Sequence, residues 1–315
     1  MSVMITGMMI LFAGGVFAHA VDLPVGIERQ VSDAYPGAEI EAVRYEQWQG
    51  QMVYEVEIET RDGKELELIF SKDGELLEVE EEAGLPWIGG ELSIGAGLMA
   101  ETEIYRGTDT EFQPAFFFRY ENNRLALQAY QDLALTYSFY RTDRLDLAVK
   151  GAVDFGGGYD PEDSSYLTGM DELDTVYTAG LTGAFRIGEW DLGLEVLQDV
   201  SGEHDGQEVE VSVARTWMIG AFEFTPAVNL TWMSGDATDY YYGVSTREAR
   251  ADRAAYSPGA GFEAEVELMV QRPIYGDFTA IGVAGITAFG SEITNSPIVD
   301  EDYAGELVLG VMYSF

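Results

Sequence analysis

The chain of 315 residues contains no cysteine, so neither a disulfide scaffold nor a thiolate metal site can exist. Histidine is nearly missing: only His19 and His204 occur, which removes most zinc and triad chemistry. Positive charge is scarce, with 17 Lys and Arg against 56 Asp and Glu and a formal net charge of −39. Such a surface repels phosphates and excludes nucleic acid as a partner. Beyond the first twenty residues no long apolar run exists, which excludes transmembrane helices. Mean hydropathy is close to zero, yet this leaves a membrane β-barrel open, because alternating strands average out in such an index.

What is present falls into three stretches. An apolar run from Val3 to Phe17 ends in Ala18-His19-Ala20, a small-x-small pattern that predicts a signal peptide over residues 1–20, although no Lys or Arg precedes it. Residues 22–83 read as a small α+β domain. Leu23, Ile27, Val31, Ala34 and Tyr35 fall at helical spacing, and Pro36-Gly37 ends the helix. Three strands are expected after it: Ala38–Gln47, Met52–Glu59 and Glu65–Phe70, with Asp62-Gly63 and Asp73-Gly74 as tight turns. The helix, the Tyr35-Pro36-Gly37-Ala38 corner, Tyr54-Glu55-Val56 and Asp73-Gly74 resemble the PepSY-like module of secreted bacterial proteins. That resemblance implies a periplasmic domain that binds or inhibits envelope partners. The plain alternative is an acidic folded spacer. Residues 84–89, which include Trp87 and follow the acidic run Glu80-Glu81-Glu82, read as a linker.

From residue 90 to residue 315 the period becomes two. Phe222, Phe224, Pro226, Val228, Leu230 and Trp232 oppose Glu223, Thr225, Ala227, Asn229 and Thr231. Phe262, Ala264, Val266, Leu268 and Val270 oppose Glu263, Glu265, Glu267 and Gln271. Long connectors near 155–174, 200–206, 234–259 and 288–302 alternate with short turns near 141–143, 187–189, 219–221 and 273–276. Adding a loop at 106–111, a turn at Asn122-Asn123 and a hairpin near Gln131-Asp132 gives about twelve antiparallel strands, an all-β transmembrane barrel. The final strand, Tyr303 to Phe315, puts apolar residues on its odd positions. Gly310, Tyr313 and Phe315 in that strand resemble the C-terminal assembly signal of bacterial outer-membrane barrels, which implies the barrel-assembly machinery as a partner.

The barrel half resembles the MipA/OmpV family of outer-membrane proteins. The likeness is carried by Tyr105-Arg106-Gly107-Thr108, Leu173-Asp174-Thr175, Asp199-Val200-Ser201-Gly202 and Tyr242-Gly243-Val244-Ser245. Ala255-Tyr256 with Gly259-Ala260-Gly261, Ser296-Pro297-Ile298-Val299 and Tyr313-Ser314-Phe315 continue it. The resemblance implies a non-enzymatic barrel in the outer membrane, in contact with its lipid and lipopolysaccharide. For the founding member it further implies a scaffold that links the lytic transglycosylase MltA to a murein synthase. A PepSY-like module in front departs from the family pattern and leaves the partner open.

Candidate chemistry is sparse, and neither a catalytic residue nor a cofactor is expected. His204 lies in the polar turn SGEHDG, near Ser201 and Asp205. The acidic groups Asp160, Glu162, Asp163 and Asp171, Glu172, Asp174 lack EF-hand spacing and read as solvated loop charge. The barrel parity points Glu195, Glu223, Glu263, Glu265, Glu267 and Glu306 inward, with Arg186 and Lys150 among few basic partners. Two readings follow: a cation-preferring pore, since carboxylate rings attract cations, or a hydrogen-bonded filling of a narrow polar interior.

Overall fold

The computed structural model describes residues 23–48, 51–61, 64–81, 90–130, 132–142, 144–155 and 157–315. The expected signal peptide (1–20), the linker 84–89 with Trp87, and the turn residues Asp62, Gly63 and Gln131 lie outside them. The chain divides at Gly89/Gly90 into two compact units.

In the smaller unit, helix α1 (Val25–Ala34) turns one apolar face, Ile27 and Val31, onto Val56, Ile58, Leu68 and Phe70. Gly37, at φ +85°, follows Pro36 and lets the chain leave the helix in the left-handed region. The sheet runs in the order β1 (Glu39–Trp48), β2 (Gln51–Glu59), β3 (Glu65–Ser71), β4 (Leu76–Glu81), antiparallel throughout. The expected sheet of three strands is thus corrected to four. No strand is expected over glutamate-rich LLEVEE, since Glu is a weak strand former, but the Asp73-Gly74 turn returns it beside β3, where Leu68 pairs with Val79. Gln30 Nε2 ties the helix to that turn, donating to the Gly74 carbonyl at 2.9 Å.

The larger unit is a closed antiparallel barrel of twelve wall strands: β5 (Glu91–Glu101), β6 (Glu111–Glu121), β7 (Leu125–Ala129), β8 (Leu133–Arg141), β9 (Leu145–Asp154), β10 (Val176–Ile187), β11 (Trp190–Asp199), β12 (Gln207–Ala214) continued by β13 (Trp217–Ile219), β14 (Phe222–Met233), β15 (Gly261–Tyr275), β16 (Phe278–Phe289) and β17 (Tyr303–Ser314). β12 and β13 pair successive stretches of β14 and act as one wall strand broken at Arg215-Thr216. The ring closes where β17 pairs with β5 from Glu306↔Glu101 to Ser314↔Ser93. Long connections 102–110, 155–175, 200–206, 234–260 and 290–302 gather at one end, where β7 and β8 join through a short hairpin; the remaining turns at the other end are short. The turn expected near 273–276 sits later, at 276–277, because β15 continues through a register shift between Pro273 and Tyr275.

Alternation sorts the side chains. Leu98, Phe116, Leu181, Val228, Leu230, Val266, Ile286 and Leu309 are exposed on the outer surface, while Glu265, Asn229, Ser212 and Lys150 are buried within. Large apolar residues in a band outside a polar interior invert a soluble fold and match a lipid solvent. Where neighbouring strands approach closest the wall demands glycine: a Cβ on Gly180 would run into the Val196 carbonyl oxygen, whereas one on Gly151 would meet nothing nearer than 3.8 Å. We expect Gly180→Ala to cost about 1–3 kcal/mol through forced backbone movement, lowering the refolded fraction seen as heat-modifiable mobility on gels, while Gly151→Ala refolds like the parent.

Candidate functional site

Strand parity and register assemble the lumen. Glu267, Gly285, Glu306 and Glu101 occupy one row across β15, β16, β17 and β5, and Glu195 stands opposite Glu210 across β11 and β12. Of the six inward glutamates expected, Glu195, Glu263, Glu265, Glu267 and Glu306 are buried. Glu223 lies on inward parity near the short-turn end, level with Gln271, and is only half-buried. Lys150 is fully buried and faces Glu195 at 3.2 Å. Arg186 sits at the short-turn end and donates to Asp191 at 2.9 Å. Parity also buries Glu101, Glu208 and Glu210; the signal that could have found them is the apolar face opposite, Leu92, Ile94 and Leu98 on β5 and Val209, Val211 and Val213 on β12. Partners hold some carboxylates: Asn229 Nδ2 donates to Glu265 at 2.9 Å and the Tyr242 hydroxyl to Glu263 at 3.3 Å.

The lumen is not polar throughout. Met99, Ala115, Phe117, Met269, Ile281, Val283 and Val308 form an inward apolar cluster, with Tyr130 stacked on Phe117 at 5.1 Å and 12°. Gly310 faces this cluster, where a Cβ would press against the Phe117 ring at 2.7 Å. Tyr313 and Phe315 turn their rings to Phe278 and to each other on the outside, at 4.8 and 4.7 Å.

The long loops do not wave in solvent. Ile104 and Tyr105, Tyr159, Leu167 and Met170, Tyr241, Tyr242 and Val244, and Ile293, Ile298 and Val299 come from four loops and share one buried cluster. Inward rim residues Met233, Phe289 and Ala304 belong to the same cluster, so the loops pack onto the barrel mouth as a cap. Helix α2 (Gly235–Tyr242) starts at Ser234, whose side chain accepts from the Ala237 amide, and delivers Tyr241 and Tyr242. The Tyr241 hydroxyl donates to Asp154 at 3.2 Å, Tyr105 to the Tyr241 carbonyl at 3.3 Å, and Ser296 to the Tyr242 carbonyl at 2.6 Å. Two arginines from loop 234–260 hold the 155–175 loop. Arg250 reaches the Ser165, Tyr166 and Thr168 carbonyls at 2.9 to 3.1 Å. Arg253, 2% exposed, bonds the Tyr166 and Glu248 carbonyls.

The remaining candidates are structural. The Asp199 carboxylate gathers the amides of Ser201, Gly202, His204 and Asp205. His204 Nδ1 accepts from the Gly206 amide at 2.9 Å, its ring lies beside Tyr240 and Tyr241, and burial pulls its pKa below the ordinary value. Among the described residues no Ser or Asp side chain bonds this imidazole. Asp160 and Asp163 cap local amides, and Tyr240 and Glu248 hold the amides of Asp174 and Asp171. Among the described residues no three His, Asp or Glu side chains could hold a metal ion.

Because the Arg253 hydrogen bonds carry charge and are buried, removing them should cost more than about 1.4 kcal/mol, a factor of ten. Arg253→Ala is expected to leave the barrel folded while limited proteolysis within 155–175 quickens about tenfold. Glu103, buried beneath the cap, has its carboxyl pushed by burial up to about 7. A folded pKa raised above the ordinary glutamate value of 4.5 stabilises the folded cap fully below pH 4.5 and loses that contribution as pH rises through 7. Hydrogen exchange of the 102–110 amides should therefore be slower, once corrected for intrinsic rates, near pH 4.5 than near pH 8, and Glu103→Gln should flatten the difference.

The sequence profile described as MltA-interacting protein MipA matches residues 94–315. The "MltA-interacting protein" of Escherichia coli (strain K12) is 26% identical over 236 residues, covering 74% of this chain and 94% of that protein. "Outer membrane protein OmpV" of Vibrio cholerae is 24% identical over 229 residues, covering 72% and 86%. Among solved structures the NanC porin aligns over 71% of this chain and 99% of its own at 12% identity with a TM-score of 0.38, too distant to carry function. Tyr105, Asp199, Tyr242, Tyr256 and Ile298, from the segments that carry the family likeness, are among the residues that pack or bond the outer loops. With the profile spanning the barrel from its first strand to its last residue, the chain belongs to the MltA-interacting protein MipA family and is an outer-membrane β-barrel.

Proposed function

We propose that this barrel is a non-enzymatic docking protein of the cell envelope, which holds a lytic transglycosylase of the MltA kind, or a murein synthase working with it, at the inner face of the outer membrane. The observation that carries the reading is the match of the whole barrel to a family described by interaction with MltA.

In this reading the capped mouth faces outward, because long loops of such barrels are extracellular, and docking falls to the periplasmic side. The small unit before the barrel, read as PepSY-like, offers a cleft between α1 and its sheet. Gln30, Asp33, Tyr35 and Leu76 border it above Val31, Leu68 and Phe70 of the buried core. The C-terminal strand with Gly310, Tyr313 and Phe315 is the segment we assign to the barrel-assembly machinery, and the acidic loops are those that meet lipopolysaccharide through bridging cations. The alternative of a cation-preferring pore draws on the lumenal glutamates, but a packed cap on the outer mouth and an apolar cluster in the lumen both weigh against free passage.

Crosslinking affinity capture from envelopes, with the full chain beside a version lacking residues 22–83, tests the docking reading. A murein enzyme recovered with the full chain alone places docking on the small unit, and recovery with both places it on the periplasmic turns. An empty capture from both overturns the proposal.

A further inference from the structure

The lumen holds a feature that docking does not use. On β16 the inward residue Gly285 leaves a notch in the wall, with Glu267 directly across on β15 and Glu306 directly across on β17. Glu101 follows on β5 in the same row. Neighbouring strands are about 4.8 Å apart, so the carboxylates on the two sides of the notch stand roughly two strands, about 10 Å, from each other at the backbone. A Cβ on Gly285 would come within 3.1 Å of Glu265 Oε1, so Glu265 leans over the notch from the β15 side.

One observation independent of the acidity, and one within the row itself, point to something that belongs there. Thr287, one step along β16 on the same inward parity, is 2% exposed, and its hydroxyl has no hydrogen-bond partner among the described residues. Glu267, also 2% exposed, has one carboxylate oxygen, Oε1, without a hydrogen-bond partner among the described residues. Unmet polar atoms this deeply buried are costly unless something satisfies them. A single metal ion does not fit, since no three such carboxylates among the described residues converge on one point. An elongated cation with donors at both ends does. The Tyr130 ring stacks on Phe117 beside the row, and its hydroxyl lies within electrostatic reach of Glu101, Glu267 and Glu306. This aromatic wall suits the methylene chain of an alkylammonium as well as its charge.

We propose that the Gly285 notch is a binding site for a short alkyl diamine, one ammonium held by Glu265 and Glu267 with the Thr287 hydroxyl, the other by Glu306 and Glu101. The site is a place of residence beneath the cap, and it stands or falls independently of the docking reading.

Isothermal titration of the full-length chain in detergent micelles with 1,4-diaminobutane tests it, with 1,4-butanediol as the neutral isostere. Saturable one-to-one binding of the diamine and none of the diol is expected. Glu267→Gln and Glu306→Gln should each weaken binding about tenfold, the factor set by losing one charge-assisted partner. Gly285→Val should abolish it by filling the notch, and heat-modifiable mobility reports whether each variant is folded. Thr287→Val, which alters no charge, keeps the test valid should a glutamate variant fail to fold, and should weaken binding several-fold. No saturable binding by the parent overturns the proposal. So does binding that survives Gly285→Val and Thr287→Val unchanged, or binding that magnesium chloride at matched ionic strength removes as fully from Glu267→Gln as from the parent, which would mark an ion atmosphere on the acidic surface.

Discussion

Backbone pairing in a solvent that offers no hydrogen bonds is the constraint on which the whole barrel rests. In hydrocarbon each unmet N–H or C=O costs several kcal/mol, so a sheet is admissible only when its two edges meet. Here they meet at β17 and β5, through nine register pairs from Glu306↔Glu101 to Ser314↔Ser93. Everything else follows from the closed ring. Parity becomes inside and outside, the outside takes Leu, Val and Phe, and the inside is left for residues that a soluble protein would place on its surface. Glycine appears where the wall is tightest, as at Gly180, since any side chain would meet the next strand's carbonyl.

Closure also explains how an acidic chain tolerates buried glutamates. Lining a narrow barrel with side chains of one sign is unfavourable unless each carboxylate is bonded, neutralised or protonated. The structure answers unevenly. Lys150 answers Glu195, Asn229 answers Glu265 and Tyr242 answers Glu263, whereas Glu267 Oε1 and the Thr287 hydroxyl have no hydrogen-bond partner among the described residues. That unevenness separates a merely filled lumen from one with a defined place for a cation.

The cap shows a second principle at work. Loops on a barrel rim are ordinarily polar because water surrounds them, yet four loops here contribute aromatic and aliphatic residues to a common core seated on the rim. Arg250 and Arg253 then spend their donors on main-chain carbonyls of a neighbouring loop, so the order of that loop depends on charge-assisted bonds and not on secondary structure. The outer end is in effect a small folded body built on a membrane foundation.

Much of this was legible in the chain. Strand alternation, the side on which long loops gather, the outward aromatics of β17 and the inward placement of Glu263, Glu265 and Glu267 are consequences of a period of two, which survives any tertiary arrangement. The missing cysteines exclude disulfides and thiolate metal sites. Other features depended on contacts between residues far apart in sequence. The fourth strand of the small unit forms because β3 offers it a ladder, despite a glutamate-rich composition. Glu101 and Glu210 are lumenal because register carries them beside Glu306 and Glu195. Tyr105, Tyr242, Arg253 and Ile298 read as loop residues until four loops converge. Local periodicity is written in consecutive side chains and so in the sequence itself; which loop packs on which, and which carboxylate faces which partner, was decided only by the closed tertiary structure, because those energies arise between segments that meet only when the ring shuts.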